Sequence, residues 1–169
     1  GLSLRLAEGL EQVRSTSLLD ETWQEIQRKD IHVITWDDSD YPRRLKETEQ
    51  PPPLIYMRGK LKHEDAWAVA VVGTRRVTAY GSQVTEEIAR SLAQNRIVVV
   101  SGLARGVDSI AHTTALAHSG RTLAVLGSGV DQIYPPDHNK LAEQIIQSGA
   151  VISDYPPGTA PEATNFPPR

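Results

Sequence analysis

From residue 67 onward, short runs of apolar residues alternate with longer segments whose apolar residues recur at helical spacing. The apolar runs are residues 68–72, 97–100, 122–126 and 150–152. The segments with helical spacing are residues 82–94, 108–118 and 139–147. Continuous apolar runs are typical of strands that are buried on both faces of a parallel sheet. The pattern therefore predicts an α/β fold with a mainly parallel sheet, right-handed crossovers and helices on both faces.

The first 66 residues follow a different pattern, in which helical spacing comes first and short strands follow. The apolar residues with helical spacing at the start are Leu4, Leu6, Leu10 and Val13. Asp20 is a suitable N-cap for a second helix that runs to Lys29. Residues 32–36 and 54–57 are rich in β-branched and aromatic side chains, which predicts two short strands.

These patterns divide the chain into two regions. We expect an N-terminal helical segment at residues 1–30, the remnant of an accessory domain or a linker from one, and a single domain at residues 31–169. Within that domain, residues 31–66 form an N-terminal extension and residues 67–169 the β-α-β core. Because the chain lacks an initiator methionine, we expect it to be a fragment of a longer protein.

Composition and charge exclude several classes of protein. The absence of cysteine excludes a disulfide framework, thiolate catalysis and cysteine-ligated metal sites. No apolar stretch approaches the roughly 20 residues that a membrane helix needs, and the first residues lack the pattern of a signal peptide. We therefore expect a cytoplasmic protein without membrane contacts. The net charge of −3 resides in residues 1–66 and argues against a broadly basic, indiscriminate nucleic-acid binder.

Local charge at the ends of the predicted strands differs from that average. Each of the first three strands of the core is followed by a glycine-rich loop, and two of these loops carry arginine. The carboxyl ends of parallel strands share one edge of the sheet, where doubly wound proteins bind ligands, and exposed backbone N–H groups and guanidinium groups favour phosphate there. The candidate anion-binding residues in these loops are Gly73, Thr74, Arg75, Arg76, Ser101, Gly102, Arg105, Gly106, Gly127, Ser128 and Gly129. Any single loop of this kind is as readily a tight turn, but three at one edge favour an anion site.

Familiar cofactor motifs are absent from the chain. It contains neither G-x-G-x-x-G after the first core strand nor a P-loop, and no acidic residue follows the second strand to hold a ribose. The histidines His118 and His138 lack ligand-like spacing. We therefore expect no cofactor, metal or catalytic residue, although phosphate or sulfate is expected to occupy the anion site.

Two further groups of residues have competing interpretations. Asp108 and His112 share a helix face and form either an acid–base pair or, as we favour, a helix cap with a histidine packed nearby. Tyr80, Tyr134 and Phe166 flank the loops and either stack on the bases of a single strand or pack in the interior. The three tryptophans lie outside the loops and are expected in the core: Trp23, Trp36 and Trp67.

The sequence resembles the DNA-processing protein A (DprA/Smf) family. The matching segments are residues 71–81, 101–116, 122–135, 153–156 and 165–169, and residues 40–45 and 52–59 also fit. The family pattern continues past Arg169, so the resemblance implies a domain that is truncated at its C-terminal end. Several separate motifs in the same order make the resemblance specific. It covers the chain from about His32 to the last residue.

The resemblance implies an extended Rossmann-like fold that binds single-stranded DNA. Members of the family protect incoming DNA during natural transformation and load the RecA recombinase, usually as homodimers when full length and with no established catalytic activity. The resemblance carries DNA-phosphate contacts to Arg75 and Arg105, and its last signature adds Asn165 and Arg169 to the candidate DNA-binding residues.

Two other functions remain open from the residues alone. One is an enzyme of the lysine-decarboxylase-like Rossmann group that binds or hydrolyses a nucleoside phosphate. Its hallmark loop, P-G-G-x-G-T-x-x-E, has only a partial counterpart at residues 156–162, which lack the paired glycines. The other is a structural or protein-docking domain without an anion site.

Overall fold

The computed structural model describes Gly9 and residues 18–168. The chain divides into two compact units, Gly1–His32 and Val33–Arg169. In the first unit, helix α1 spans Leu18–Arg28, with Asp20 and Glu21 in its first turn and Arg28 in its last, an arrangement that suits the helix dipole. Asp20 therefore lies inside the helix and not at the predicted N-cap. The residues predicted to form an earlier helix, among them Leu4 and Val13, lie outside the described part.

Six strands form one sheet in the described part of the chain. The strands are β1 (His32–Thr35), β2 (Leu54–Gly59), β3 (Ala68–Ala70), β4 (Val98–Ser101), β5 (Thr122–Val125) and β6 (Ala150–Ser153). The remaining α-helices are α2 (Arg43–Lys46), α3 (Ala79–Gln94), α4 (Val107–Ala117) and α5 (Asn139–Ser148). Single 3₁₀ turns lie at His63–Ala66, Pro136–His138 and Ala163–Asn165.

The sheet is mainly parallel, as the apolar runs predicted. Its strand order is β1-β2-β6-β5-β4-β3, and the four strands of the core, β3 to β6, are parallel neighbours. Strand β2 of the extension pairs antiparallel with β6, with Tyr56 opposite Ser153. The fold is α/β and Rossmann-like.

The two faces of the sheet are covered unequally. Each core strand is added on the same side of the one before it, so right-handed crossovers place α3, α4 and α5 on one face. On that face, Val99 packs against Ala89 of α3 and Ala111 of α4. Arg58, whose strand neighbour is Val151, donates to Glu143 of α5 at 3.1 Å. Helices are present on both faces of the sheet, as predicted. Three long helices lie on one face, and only the single-turn helix α2 lies on the other.

The opposite face carries the larger apolar cluster of the second unit. Its buried residues are Ile34, Tyr41, Ile55, Met57, Val98, Leu123 and Ala150. Leu45 of α2 packs against this cluster, and the Tyr41 hydroxyl donates to the Pro52 carbonyl at 2.6 Å. The extension therefore supplies the cover that a further crossover helix would give in a larger sheet.

The tryptophans contradict the prediction that they are core residues. Trp23, Trp36 and Trp67 are exposed by 53%, 39% and 74%. Trp67 immediately precedes the edge strand β3, where no further strand covers it in the described sheet. The buried core of the second unit consists mostly of aliphatic side chains, with Tyr41 as its aromatic member.

Within the described residues, no helix is long and apolar enough to cross a membrane.

Candidate nucleic-acid interface

Three loops follow neighbouring parallel strands and lie at the carboxyl edge of the sheet. We call them the β3 loop (residues 71–78), the β4 loop (residues 102–106) and the β5 loop (residues 126–135). Strands β3, β4 and β5 are adjacent in the sheet, so the fold brings the three loops together. Ten of the eleven predicted loop residues lie in these loops, and the eleventh, Ser101, is the last residue of β4 and borders on the β4 loop. The structure gives these loops different surroundings.

The β3 and β4 loops touch at Gly106. This residue has a φ of +79° and precedes helix α4, and a Cβ there would collide with the carbonyl oxygen of Thr74. The same carbonyl accepts a hydrogen bond from the backbone N–H of Val107 at 3.2 Å. Only glycine permits both the left-handed backbone and this close approach. Gly106 therefore fixes the two arginine-bearing loops against each other.

A buried carboxylate shapes the β4 loop from within. Asp108 is 4% exposed, and its Oδ2 accepts hydrogen bonds from the backbone N–H groups of Gly102 at 3.2 Å and Ala104 at 3.3 Å. Between them, Leu103 is fully buried and has a φ of +59°, which an L-residue adopts only when its surroundings hold it there. Asp108 lies in the first turn of α4 and Gly106 is at the cap position. The carboxylate thus orders the loop before the helix and does not cap it as predicted.

His112 is bonded to the sheet and not to Asp108. Its Nδ1 lies 2.6 Å from the Thr122 hydroxyl, which donates to the Val99 carbonyl at 2.8 Å. Because that hydroxyl has only one hydrogen, Nδ1 must be the protonated donor to it. Neither predicted role, acid–base pair or packing beside a capping aspartate, describes this histidine, which holds α4 to β4 and β5.

Burial determines the charge of His112. Its Nε2 is buried without a hydrogen-bond partner. Desolvation, with a smaller contribution from the charge of His138, lowers the pKa of the His112 imidazole to about 3. The ring is therefore neutral across the physiological range.

The arginines of the two loops are exposed at the surface. Arg75, Arg76 and Arg105 are all exposed, and the backbone N–H of Arg76 donates to the Thr74 hydroxyl at 3.1 Å, which turns the β3 loop. Gly73 lies against Val107, where a Cβ would come within 2.8 Å of its side chain. The guanidinium groups thus extend from a tightly packed base.

Two aromatic rings from distant segments join Arg75. The Arg75 Cζ lies 5.2 Å from the centre of the Phe166 ring, within cation–π range. The Phe166 ring contacts Tyr134, with centroids 6.1 Å apart and planes 31° apart. Tyr80, at the start of α3, is 76% exposed. The structure therefore brings one arginine and two of the three flanking aromatics into one cluster, with the third at the surface.

The predicted hydroxyl ligands are buried. The Ser101 hydroxyl donates to the Val71 carbonyl at 2.6 Å, and the Ser128 hydroxyl donates to the Gln132 carbonyl at 2.7 Å. Both side chains are at most 3% exposed. Gly102 is buried as well. These residues form the frame of the loops and present no side chain to a ligand at the surface.

The β5 loop is covered by the proline-rich end of the chain. Residues 156–166, which we call the covering segment, pack over its glycines. The Gly129 N–H donates to the Thr159 carbonyl at 2.9 Å, and the Gly158 N–H donates to Asp131 Oδ1 at 2.8 Å. A Cβ on Gly127 would come within 2.9 Å of Phe166 Cδ1 and 3.0 Å of the Asn165 carbonyl oxygen.

Consequently the covering segment occupies the space beside both glycines, with Asn165 against Gly127 and residues 156–159 against Gly129. The β5 loop contributes Tyr134, which is 43% exposed, to the surface cluster. Arg169 lies outside the described residues.

Two residues that the sequence did not single out as ligands contact the β4 loop. Asp137 Oδ2 accepts a hydrogen bond from Arg105 Nη2 at 2.7 Å, and His138 Nδ1 donates to the Leu103 carbonyl at 2.8 Å. More than 30 residues separate each pair, so no local pattern indicates them. The proline-rich turn that precedes both residues was the only available sign that this segment is ordered.

A second candidate surface, of mixed charge, lies on the opposite face of the sheet. A groove of about 760 Å³ has an apolar floor that includes Met57 and Leu123, and its rim includes Arg44, Lys60 and Lys62. Acidic residues also line it, so its charge is mixed. Among the described residues, no group of three or more His, Asp or Glu side chains could hold a metal ion.

Comparison with known proteins agrees with this fold and loop arrangement. The family model for DNA recombination-mediator protein A matches residues 32–169. The chain belongs to this family. The resemblance seen in the signature segments is thus confirmed.

Over the aligned residues, curated relatives of the family are a third or more identical to the chain. Protein Smf of Synechocystis is 45% identical over 150 residues, which are 86% of this chain and 38% of that protein. DNA processing protein DprA of Streptococcus pneumoniae is 39% identical over 132 residues, which are 78% of this chain and 46% of that protein. The chain therefore spans less than half the length of these curated relatives.

Solved structures of the family superimpose on most of the chain. DNA processing protein A of Streptococcus pneumoniae matches with a TM-score of 0.76 and 36% identity, covering 82% of this chain and 48% of that one. The Helicobacter pylori protein, known for its single-stranded DNA binding mode, matches with a TM-score of 0.70 and 35% identity, covering 80% and 61%. The arrangement of strands and loops is therefore shared with these family members.

Proposed function

We propose that this chain is the single-stranded DNA-binding unit of a DNA-processing protein. In this proposal the phosphates contact Arg75, Arg76 and Arg105, and bases stack beside Tyr134 and Phe166. The observation that carries the proposal is the cluster in which the Arg75 guanidinium lies over Phe166, which in turn contacts Tyr134. Cations beside aromatic faces bind single strands because the phosphates and the exposed bases are then held together.

Charge and geometry support this proposal over a duplex-binding surface. Residues 67–169 are neutral overall, which argues against a broadly basic duplex-binding surface. Three guanidinium groups at one edge can raise the local potential while the rest of the surface stays neutral. Stacking requires unpaired bases, so the aromatic cluster favours single strands over duplex.

The interior contacts support a preformed site. Gly106, Asp108 and His138 hold the two arginine-bearing loops through backbone atoms. A ligand that meets rigid loops loses less affinity to ordering of the protein. We also propose that inorganic phosphate or sulfate binds at the β3 and β4 loops.

In the whole protein we propose a role without catalysis. Family membership and the single-stranded DNA binding of the Helicobacter pylori relative support protection of incoming DNA and delivery of that DNA to the RecA recombinase. A homodimer is proposed only for the full-length protein. The enzymatic alternative would need residues 156–162 as an open nucleotide loop, but Gly158 and Thr159 are hydrogen-bonded over the β5 loop.

The experiment is a salt-titrated binding assay with single- and double-stranded oligonucleotides, run on this chain and on the full-length protein. Single strands should bind more tightly, and the logarithm of the affinity should fall linearly with the logarithm of the salt concentration. Each phosphate contact contributes about 0.7 to that slope on a single strand. Arg75→Ala and Arg105→Ala should each weaken binding and each reduce the slope by up to about that amount.

Arg90→Ala is the matched control, since Arg90 is an exposed arginine of α3 outside the loops. Equal binding by the Arg75→Ala, Arg105→Ala double variant and by the unmodified chain would refute the site. Release of a free base from nucleoside monophosphates would instead support the enzymatic alternative.

A further inference from the structure

Arg105 already holds an anion of the protein itself. Its Nη2 lies 2.7 Å from Asp137 Oδ2, and the two side chains are 62% and 73% exposed. A carboxylate at this distance satisfies the same guanidinium donors that a phosphate would use. A phosphate that approaches Nη2 of Arg105 therefore competes with Asp137 for that donor.

The position of Asp137 is set by the fold and does not depend on the ion pair alone. Asp137 lies in the 3₁₀ turn Pro136–His138. The next residue, His138, donates from Nδ1 to the carbonyl of the buried Leu103 in the β4 loop at 2.8 Å. The turn is thus attached to the β4 loop at two points, one of them half-buried, which keeps the carboxylate beside Arg105.

The same segment also reaches Arg75. Tyr134, three residues before Asp137, contacts Phe166, and Phe166 lies under the Arg75 guanidinium. This segment therefore reaches both arginines, because Tyr134 contacts the ring beneath Arg75 and Asp137 is hydrogen-bonded to Arg105. This places the competing carboxylate inside the proposed interface.

We propose that Asp137 is a competing anion that sets how strongly, and with what salt dependence, Arg105 binds a phosphate of single-stranded DNA. The inference rests on the proposed function, since it assumes that Arg105 contacts phosphate. In the free protein the carboxylate occupies the guanidinium group. In the complex the phosphate displaces it, and the freed Asp137 gains a solvent cation.

The expected size of the effect follows from the exposure of the pair. Exposed ion pairs contribute little, so the phosphate displaces Asp137 readily, and removing the carboxylate should tighten binding only about two- to fivefold. The salt slope should also steepen by less than about 0.7, because no cation is then taken up by a freed carboxylate.

The test compares Asp137→Asn with the unmodified chain in the salt-titrated assay with an oligodeoxythymidylate, each in the presence of Arg105 and in the Arg105→Ala background. Asparagine keeps the shape and an acceptor oxygen but removes the charge. Glu162→Gln is the control, because Glu162 is an exposed acidic residue of the covering segment. We expect Asp137→Asn to tighten binding only when Arg105 is present, and Glu162→Gln to have a smaller effect in both backgrounds.

The outcomes separate this inference from the proposed function. Equal tightening by Asp137→Asn with and without Arg105 would show a general charge effect and overturn the inference. Unchanged or weakened binding of the Asp137→Asn variant would overturn it as well, while leaving the proposed function intact. If the unmodified chain and the full-length protein fail to bind single strands, the proposed function itself fails and the inference fails with it.

Discussion

The β4 and β5 loops begin alike, with a glycine just past the end of a buried parallel strand, but end in different environments. At the β4 loop, a buried carboxylate orders the backbone from below and Arg105 extends into solvent. At the β5 loop, the covering segment packs over Gly127 and Gly129 from above. The comparison shows that a glycine at a strand end permits close approach of another group. Whether that group is a ligand or the chain itself depends on distant residues.

The largest effect is expected from acid, acting through His112, the buried histidine of α4. The His112 pKa is lowered to about 3 in the folded chain from an ordinary value of 6.5, so the unfolded chain binds more protons between these values. Stability is therefore full above about pH 6.5 and falls with decreasing pH through that window, with a slope of up to about 1.4 kcal/mol per pH unit from this group.

Chemical denaturation across that pH range tests the prediction. His112→Gln should flatten the pH dependence, whereas His63→Gln, at an exposed site, should not. An unchanged profile in the His112→Gln variant would show that this histidine is not held neutral by burial.

The next effect is expected where the β3 and β4 loops meet. Gly106→Ala places a Cβ against the Thr74 carbonyl at a positive φ, so it should lower the free energy of unfolding by about 2–4 kcal/mol. Gly158→Ala is the matched control in the covering segment, because Gly158 also has a positive φ but open space around it. It should cost only about 1 kcal/mol. Equal losses in thermal or urea unfolding would contradict the close approach.

Substitution of Asp108 tests whether the β4 loop is preformed for binding. In Asp108→Ala, the Gly102 and Ala104 N–H groups lose their acceptor, and the unfolding free energy should fall by about 1–3 kcal/mol. Oligonucleotide binding should weaken too, since Arg105 follows directly on this backbone. If the Asp108→Ala variant binds DNA with unchanged affinity, the β4 loop does not need its internal carboxylate. Asp154→Asn, at an exposed position after β6, provides the comparison.

The sequence predicted the layout of the sheet and less of the site. Continuous apolar runs identify β3 to β6. Strands β4 to β6 are largely buried, as such runs predict, whereas β3 is an edge strand in which Val69 is 42% exposed. Glycine and arginine after the first two runs place Arg75 and Arg105 correctly at one edge. The burial of Ser101 and Ser128 was not predicted, because it depends on which way the last residues of a strand and its turn point.

Contacts between distant segments account for the rest. Phe166 lies 91 positions after Arg75, and Asp137 lies 32 after Arg105, so no periodicity relates them. The tryptophans are expected in the core because they lie outside the glycine loops, but the described sheet ends at β3 and exposes Trp67. Only a structure shows which glycine loop another part of the chain has already covered.

The smallest effect is expected at the aromatic cluster. Phe166→Leu keeps an apolar contact with Gly127 but removes the ring below Arg75 and beside Tyr134. Single-strand binding should weaken by about 1 kcal/mol, which is roughly fivefold, with little change in the salt slope because no charge is lost. Parallel loss of affinity and slope would instead indicate that Arg75 had moved. Tyr80→Leu, at the exposed start of α3, separates the contribution of this cluster from that of a solitary ring.

Amide chemical-shift mapping with a short oligodeoxythymidylate is the most direct test of where single strands bind. It distinguishes the β3 and β4 loops from the β5 loop and from the groove on the opposite face of the sheet. We expect the largest shifts at the backbone amides of Thr74, Arg75, Arg76 and Arg105. These shifts should saturate as the oligonucleotide is added and should be reversed by salt. Shifts concentrated around Arg44, Lys60 and Lys62 of the groove, with the arginine loops unchanged, would contradict this expectation.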